Sequence, residues 1–548
     1  MANTDHSEEI QTVIGSWLPD SPESPSLTQR DALQALEAPV YAVAQGDSIA
    51  YRSEGHLSLG VYSTDTKAEA AVGYVAPCTI AHLGSRSFCQ DYNVQYPYYA
   101  GAMANGIASE ELVEAMANQG FLSFFGSAGL SPARVTEALE RLTQSLPDKT
   151  FGFNLINSPN DPIWQEDVVD LYLKYGLRVV EASAYVALSP GLVRYRVTGL
   201  YRDDNGNVVA PNHVIAKLSR LEVAQRFFEP APDRILKKLL AEGKITEEEA
   251  ELAKEIPMAQ DITVEADSGG HTDHRPALTV LPSMLALRNE MQVSQGYSIP
   301  LRVGLGGGIG TPAAVAATFA MGAAYVVTGS INQGCIESGT TDIVRAMLAK
   351  ASQTDVGQAP AADLFEMGSF VQVLKKGTRF TTRSNKLYDL YRTYPGMDAI
   401  PEAERKKLEA EILRKPVEAV WGECVDYFSE RDPKQLEKAK ANPKQKMALI
   451  FRWYLGYSSF WAKQGVADRT EDYQVWCGPA MGAFNEWVAG TFLEAPENRK
   501  VALVAKNLLF GAAVLTRAHT LRQQGIAVED ELKLIAPLSD EALSERIG

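Results

Sequence analysis

From about Gln95 to residue 350 the chain repeats one pattern: a short apolar run, a turn of glycine or other small residues, then a segment with apolar positions three and four apart. Continuous apolar runs of this length read as buried strands, and the following period of 3.6 reads as amphipathic helices. The first unit is "VQYPYYAGAMANGIASEELVEAMANQG" and the second begins "FLSFFGSAGL"; "FGFNLI", "LRVVEAS", "HVIAKLS", "ITVEADS", "LRVGLGG" and "AAYVVTGS" follow. Eight strands joined by helices predict an α/β protein built as a (β/α)8 TIM barrel rather than an open sheet, provided that the segment near "GLVRYRVTGLY" supplies an irregular fourth helix. In such a barrel the chemistry stands just after the strand ends.

Helix boundaries support the reading. Ser109 can cap a helix that carries Glu110 and Glu111 in its first turn and stops at Gly120, and Ser131-Pro132 supplies a cap followed by proline at the first helical position. Between the fifth and sixth strands, "DRILKKLLAEGKITEEEAELAKEIPMAQ" has helical periodicity and a Thr246-x-x-Glu249 capping box, and it is too long for an ordinary loop. The predicted organisation is a small separate N-terminal lobe (residues 1–90), a barrel (91–350) with a helical insertion at about 229–260, and a mostly helical C-terminal region (351–548). In that last region the charge run "PEAERKKLEAEILRKPVEAVW" reads as a solvated helix face. The aromatics of "ALIFRWYLGYSSFWAKQG" read as core, with an apolar-chain channel as the alternative.

Composition narrows the function classes. The 548 residues, 45% hydrophobic and 22% charged, suit a large soluble globular fold. A net charge of −16 argues against nucleic acid and anionic membrane as partners, because that attraction needs excess Lys and Arg. The acidic start "MANTDHSEEI" is unlike a secretion signal, and apolar tracts such as that from Ala313 are interrupted by Gly and Thr, so a cytoplasmic location is expected. Five cysteines without a CxxC pair predict reduced thiols rather than a disulfide framework or thiolate zinc site.

The strongest chemical signal is "VGLGGGIGTPAAVAATFAMGAAYVVTGS": Gly306, Gly307 and Gly308 end one strand before a Thr311-Pro312 helix start, and Thr328, Gly329 and Ser330 end the next. Bare backbone and helix-start amides at two adjacent strand ends can share one phosphate. No GxGxxG register fits and no GKS or GKT occurs, so dinucleotide-fold and P-loop readings fail. After the first strand, Gly101, Ala102, Met103 and Ala104 leave room for a flat ring. Asn154 can donate and accept at a ring edge, and Lys217 at an apolar strand end needs an anion, which a cofactor could supply. In "EADSGGHTDHRP", His271 and His274 lie three apart after the sixth strand; without supporting ligands they are weak evidence for a metal, and no metal is assigned.

The segments "PYYAGAMANGIASEELVEAMANQGFLSFFGSAGLSP", "EADSGGH" and "GLGGGIGTPAAVAATFAMGAAYVVTGS" resemble the nitronate monooxygenase-like FMN barrels. The likeness is closer to the PfaD-type trans-acting enoyl reductases of polyunsaturated fatty acid and polyketide synthases. "RSNKLYDLYRTYPG" and "YQVWCGPAMGAFNEW" extend it through nearly the whole chain. The resemblance implies FMN, with Gly306, Gly307, Gly308, Thr328, Gly329 and Ser330 near its phosphate and Gly101 to Ala104, Asn154, Lys217 and Gly270 around its ring. It implies His271 as the catalytic histidine; Asp267, Asp273 and His274, nearby in sequence, are candidates to orient it or relay protons. It also implies NADPH as hydride donor and acyl carrier protein domains of a multienzyme synthase as partners, and leaves a homodimer open. A nitronate oxidase, a flavin-bound docking subunit and a divalent-metal enzyme remain alternatives.

Overall fold

The computed structural model describes residues 12–21, 24–60, 65, 67–158 and 162–547. Five antiparallel strands come first: β1 (Gly15–Leu18), β2 (Val40–Gln45), β3 (Ser48–Arg52), β4 (His56–Leu59) and β5 (Glu69–Val75), in the order β3-β2-β5-β1-β4. The barrel is built from β6 (Tyr98–Ala100), β7 (Leu122–Phe125), β8 (Gly152–Ile156) and β9 (Val179–Ser183). After a small hairpin of β10 (Tyr201–Arg202) and β11 (Val208–Val209), it continues with β12 (His213–Leu218) and β13 (Asp261–Glu265). Beyond a two-residue strand, β14 (Gly270–His271), come β15 (Arg302–Gly306) and β16 (Val326–Thr328). The eight longer elements from β6 onward pair in parallel and close, with β16 beside β6.

All eight expected strands are therefore present, because each is a short apolar run that only a buried parallel sheet can cover on both faces. Expected start signals also operate. Ser109 accepts from the Leu112 amide, Ser131 from Arg134 and Thr311 from Ala314, and the Thr246–Glu249 capping box is complete. The irregular fourth connection is the helix Pro190–Val197 plus the β10–β11 hairpin. Below the strands, Arg302 holds Asp261 through Nε at 2.7 Å and Nη2 at 2.8 Å, while Tyr92 donates to the same carboxylate at 2.8 Å. The Arg86–Asp91 helix completes this floor through Asp91, 2.6 Å from Arg302. The opposite, C-terminal end of the strands is the one left for chemistry.

Three parts of the expected organisation change. The N-terminal lobe is not separate: buried Arg517 donates to the Ala32 and Leu36 carbonyls, and Gln524 both donates to and accepts from the Tyr74 backbone. The helix that carries Arg517, Val501–Gln523, is long and apolar enough to cross a membrane and was not singled out by its sequence. Yet 89% of its most apolar window is buried inside the protein, against the β5 sheet and the helix Pro312–Ala320. Finally, the C-terminal region opens not with helix but with β17 (Val356–Pro360) and β18 (Phe370–Leu374), and β18 pairs with β14. A strand of two residues has no period to read, so this small sheet over the barrel mouth was invisible in the pattern.

Candidate active site

Side chains alternate across each strand, so one parity faces the barrel interior. At the mouth this brings Asn154, Glu181, Lys217 and Glu265 inward from β8, β9, β12 and β13. Lys217 Nζ lies 3.6 Å from Glu265 Oε1. Glu181 is fully buried and accepts from the Tyr99 hydroxyl at 3.1 Å and from the Ala102 amide at 3.2 Å. Burial works against the Lys217 ammonium, but Glu265 and Glu181 outweigh it and hold its pKa well above the lysine range. Burial raises the Glu181 pKa, and the nearby ammonium only partly offsets that.

The anion expected beside Lys217 is thus supplied by the protein itself, as a carboxylate pair that the sequence pattern did not reveal. The available signal was an acidic residue inside the apolar run "LRVVEAS", a position where a charge must have a partner. Asn154 points inward as expected, but its Oδ1 is already used: Ser127 Oγ donates to it at 2.9 Å and the Ala128 amide at 3.1 Å. Only its NH2 group remains for a ligand.

The glycines divide into two kinds. A Cβ on Gly306 would touch Val327 at 3.3 Å, and one on Gly307 would meet the Ala266 carbonyl carbon at 2.7 Å, so these two allow close packing of strand and loop. At Gly308 and Gly329, ending adjacent strands, no atom lies within 4 Å of the place a Cβ would take. Gly308 also has φ +75°, which glycine adopts without strain. The result is an open, backbone-lined hollow beside Ser330. Thr328 is not part of it: its hydroxyl bonds the Tyr98 hydroxyl and Asn332, and its carbonyl accepts from the Gly101 amide. Thr328 belongs to the outward parity of β16, so it fastens the strand to the helices instead.

The segment 267–274 separates the two histidines. Pairing of β14 with β18 aims His271 at the loop after β17, where its Nε2 lies 3.2 Å from Asp363 Oδ1. His274, at φ +50°, turns back so that Nδ1 lies 2.9 Å from Asp267 Oδ1 and Nε2 2.7 Å from Gln358. Gln372 also donates to Asp267, at 2.9 Å, and Asp273 holds Ser219 and Arg220. The acids expected to orient His271 therefore do other work, and Asp363, 92 residues away in sequence, faces it. Burial lowers the His271 pKa, but the hydrogen bond and charge of Asp363 outweigh it, leaving the pKa above the ordinary histidine value.

A strap crosses this mouth. Leu374 donates to the Val475 carbonyl at 2.8 Å, Gly478 donates to Ser330 Oγ at 3.0 Å, and Gly269 and Gly478 pack backbone to backbone. The histidine loop, the glycine hollow and the C-terminal region are thereby one structure.

A closed barrel with open, backbone-lined space at its last two strand ends, and a histidine and an ion-paired interior at the same mouth, is of the class that carries its chemistry over the strand ends. The nitronate monooxygenase family model matches residues 86–359, half of the chain, and the inserted helical domain of [acyl-carrier-protein] S-malonyltransferase matches residues 394–473. The chain is 48% identical over 455 residues to a polyunsaturated fatty acid synthase polypeptide of Thraustochytrium sp., covering 82% of this chain and 30% of that protein. It is 45% identical over 441 residues to polyketide biosynthesis protein PksE of Bacillus subtilis, covering 80% and 57%. It thus spans only part of these curated relatives. Among solved structures, the enoyl reductase domain of MlnA from the macrolactin biosynthesis cluster of Bacillus amyloliquefaciens is similar at TM-score 0.78 and 38% identity, over 81% of this chain and all of that one. The chain belongs to the nitronate monooxygenase family of oxidoreductases, in its PfaD-like enoyl reductase branch.

Proposed function

We propose that the protein is an FMN-dependent, trans-acting enoyl reductase that uses NADPH to saturate 2-enoyl thioesters carried by acyl carrier protein domains, in polyunsaturated fatty acid or polyketide biosynthesis. The observation that carries this reading is the open hollow at Gly308 and Gly329 on the same mouth as His271. The residues present fit FMN. Gly308, Gly329 and Ser330 would hold the phosphate, Gly101 to Ala104 would flank the ring, and the NH2 of Asn154 and the ammonium of Lys217 would meet its polar edge. Bound there, FMN would supply hydride chemistry at the β-carbon, with NADPH as the electron source.

This chain's residues supply the rest. His271, held by Asp363, delivers the proton required at the α-carbon, so one hydride and one proton together saturate the double bond. The strap at Val475 to Gly478 ties the C-terminal region to Ser330 at the edge of the hollow. The relatives named for fatty acid and polyketide synthesis support a carrier-bound substrate. The test is anaerobic turnover of a crotonyl thioester by the FMN-loaded protein with NADPH. Saturated product without oxygen is expected; oxygen-dependent nitronate oxidation with no thioester reduction would favour a nitronate oxidase instead.

The hollow can be tested separately. Gly329 has a negative φ and free space at its Cβ, so Gly329→Asp is expected to fold, which circular dichroism and thermal unfolding check. Its carboxylate would stand against a phosphate, and like-charge contact costs several kcal/mol, so FMN affinity should fall by about 100-fold or more in a flavin titration. Unaltered affinity would remove the phosphate from this hollow.

A further inference from the structure

Within the region matched by the inserted helical domain, which is formally neutral overall, one short segment is basic. Residues 431–446 hold six basic side chains, Arg431, Lys434, Lys438, Lys440, Lys444 and Lys446, against Asp432 and Glu437, in a protein of net charge −16. Lys444 and Lys446 are engaged, with the Tyr391 and Tyr394 carbonyls and with Glu418, and Arg431 stacks on exposed Tyr427. Lys434, Lys438 and Lys440 are exposed on the helix Pro433–Ala441 and make no ion pair with any described residue. Lys434 and Lys438 stand one turn apart on the face opposite the buried Leu436 and Ala439.

This helix is wired to the barrel mouth. Gln435 accepts from Gln445 at 3.2 Å, and Gln445 also donates to Glu366 at 3.3 Å, which Arg452 meets at 3.1 Å. Glu366 is three residues from Asp363, the partner of His271, a span of about 10 Å of chain at most. The C-terminal half of the helix Pro443–Gln464 continues to the first barrel loop, where Asn105 donates to Ser459 at 3.3 Å.

We propose that the exposed lysine face of Pro433–Ala441 is the docking site of an acidic carrier domain that presents its acyl group on a flexible tethered thiol. The inference rests on the enoyl reductase reading for its occupant. A carrier seated there is linked to His271 through Gln435, Gln445, Glu366 and the three-residue chain to Asp363, and a tethered acyl arm would reach along that path. Acidic partner and basic patch also steer encounter within a repulsive overall field, since a chain of net −16 disfavours extended polyanions.

The experiment uses the full chain with Lys434→Glu/Lys438→Glu, and with Lys237→Glu/Lys238→Glu on the barrel insertion as a charge-matched control. Crotonyl-carrier and crotonyl-CoA are compared as substrates, and binding of the unacylated carrier is measured by calorimetry. Expected is a rise of about tenfold or more in KM for the carrier substrate, weaker carrier binding, unaltered crotonyl-CoA kinetics, and no effect of the control. Carrier KM and binding within twofold of the parent would overturn the docking face while leaving the reductase reading intact. A parent protein that reduces neither substrate but binds carrier through these lysines would do the reverse. Tight binding of anionic phospholipid vesicles, lost with the lysines and with no carrier binding in the parent, would identify a membrane surface and also overturn the proposal.

Discussion

His271→Ala is expected to lower kcat for enoyl thioester reduction by about 100-fold or more while the protein still binds FMN, because a positioned proton donor contributes on that order and the ring bonds Asp363 rather than the glycine-rich strand ends. The pH dependence gives a sharper check. His271 has a folded-state pKa raised by Asp363, so the protonated donor persists to higher pH than for a free imidazole, and the rate falls as pH rises through that raised value. Asp363→Asn removes the charge that raises it, which should move the alkaline limb to lower pH and lower kcat more than it raises KM. Asp363→Glu should restore part of the shift. The pair is partly exposed, at 43% and 57% of the side chains, so little effect on stability is expected. An unshifted limb in Asp363→Asn would assign the titration to another group, and full activity of His271→Ala would leave the protein as a flavin-bound partner of the synthase without this acid.

Lys217→Met should be the most destabilising single change at the mouth. It leaves Glu181, fully buried, and Glu265 facing each other without their cation, and breaking a buried ion pair in this way costs about 3–5 kcal/mol. Partial exposure of Lys217 and Glu265, near one fifth of each side chain, places the expectation at the lower end. The sign with pH is defined. In the parent, the raised Lys217 pKa keeps its contribution in place throughout the neutral range, and it is lost only as pH rises through that value. In the variant, Glu181 has a raised folded-state pKa and no ammonium to lower it, so stability is greatest below the unfolded carboxyl value and falls as pH rises through the folded one. Thermal unfolding at pH 5.5 and pH 8 should therefore show a larger deficit at pH 8. Equal deficits would mean that removing the ammonium does not change the protonation of folded Glu181 between these two pH values.

The candidate site was legible only where it is local. Gly306 to Gly308 and Gly329 announce themselves because backbone approach requires residues without side chains, and His271 follows a strand end by fixed spacing. Glu181, Glu265 and Asp363 were not legible, since their roles depend on which strands are neighbours and on β14 finding β18 about 100 residues later. The same reason corrects the assignments of Asp267, Asp273 and His274. Sequence proximity suggested contact with His271, whereas the positive φ at His274 sends its ring back to Asp267.

The sequence by itself determined the eight strands, their helices and the glycine-rich ends of β15 and β16, because periodicity, capping and chain flexibility are properties of neighbouring residues. Tertiary structure alone decided which carboxylate answers each cation and which histidine faces the mouth. It also joined the first sheet to the helix Val501–Gln523, more than 400 residues away, burying surface whose apolar character alone would equally suit a membrane. Burial and pairing across the chain are set by packing, and packing is not written in any local period.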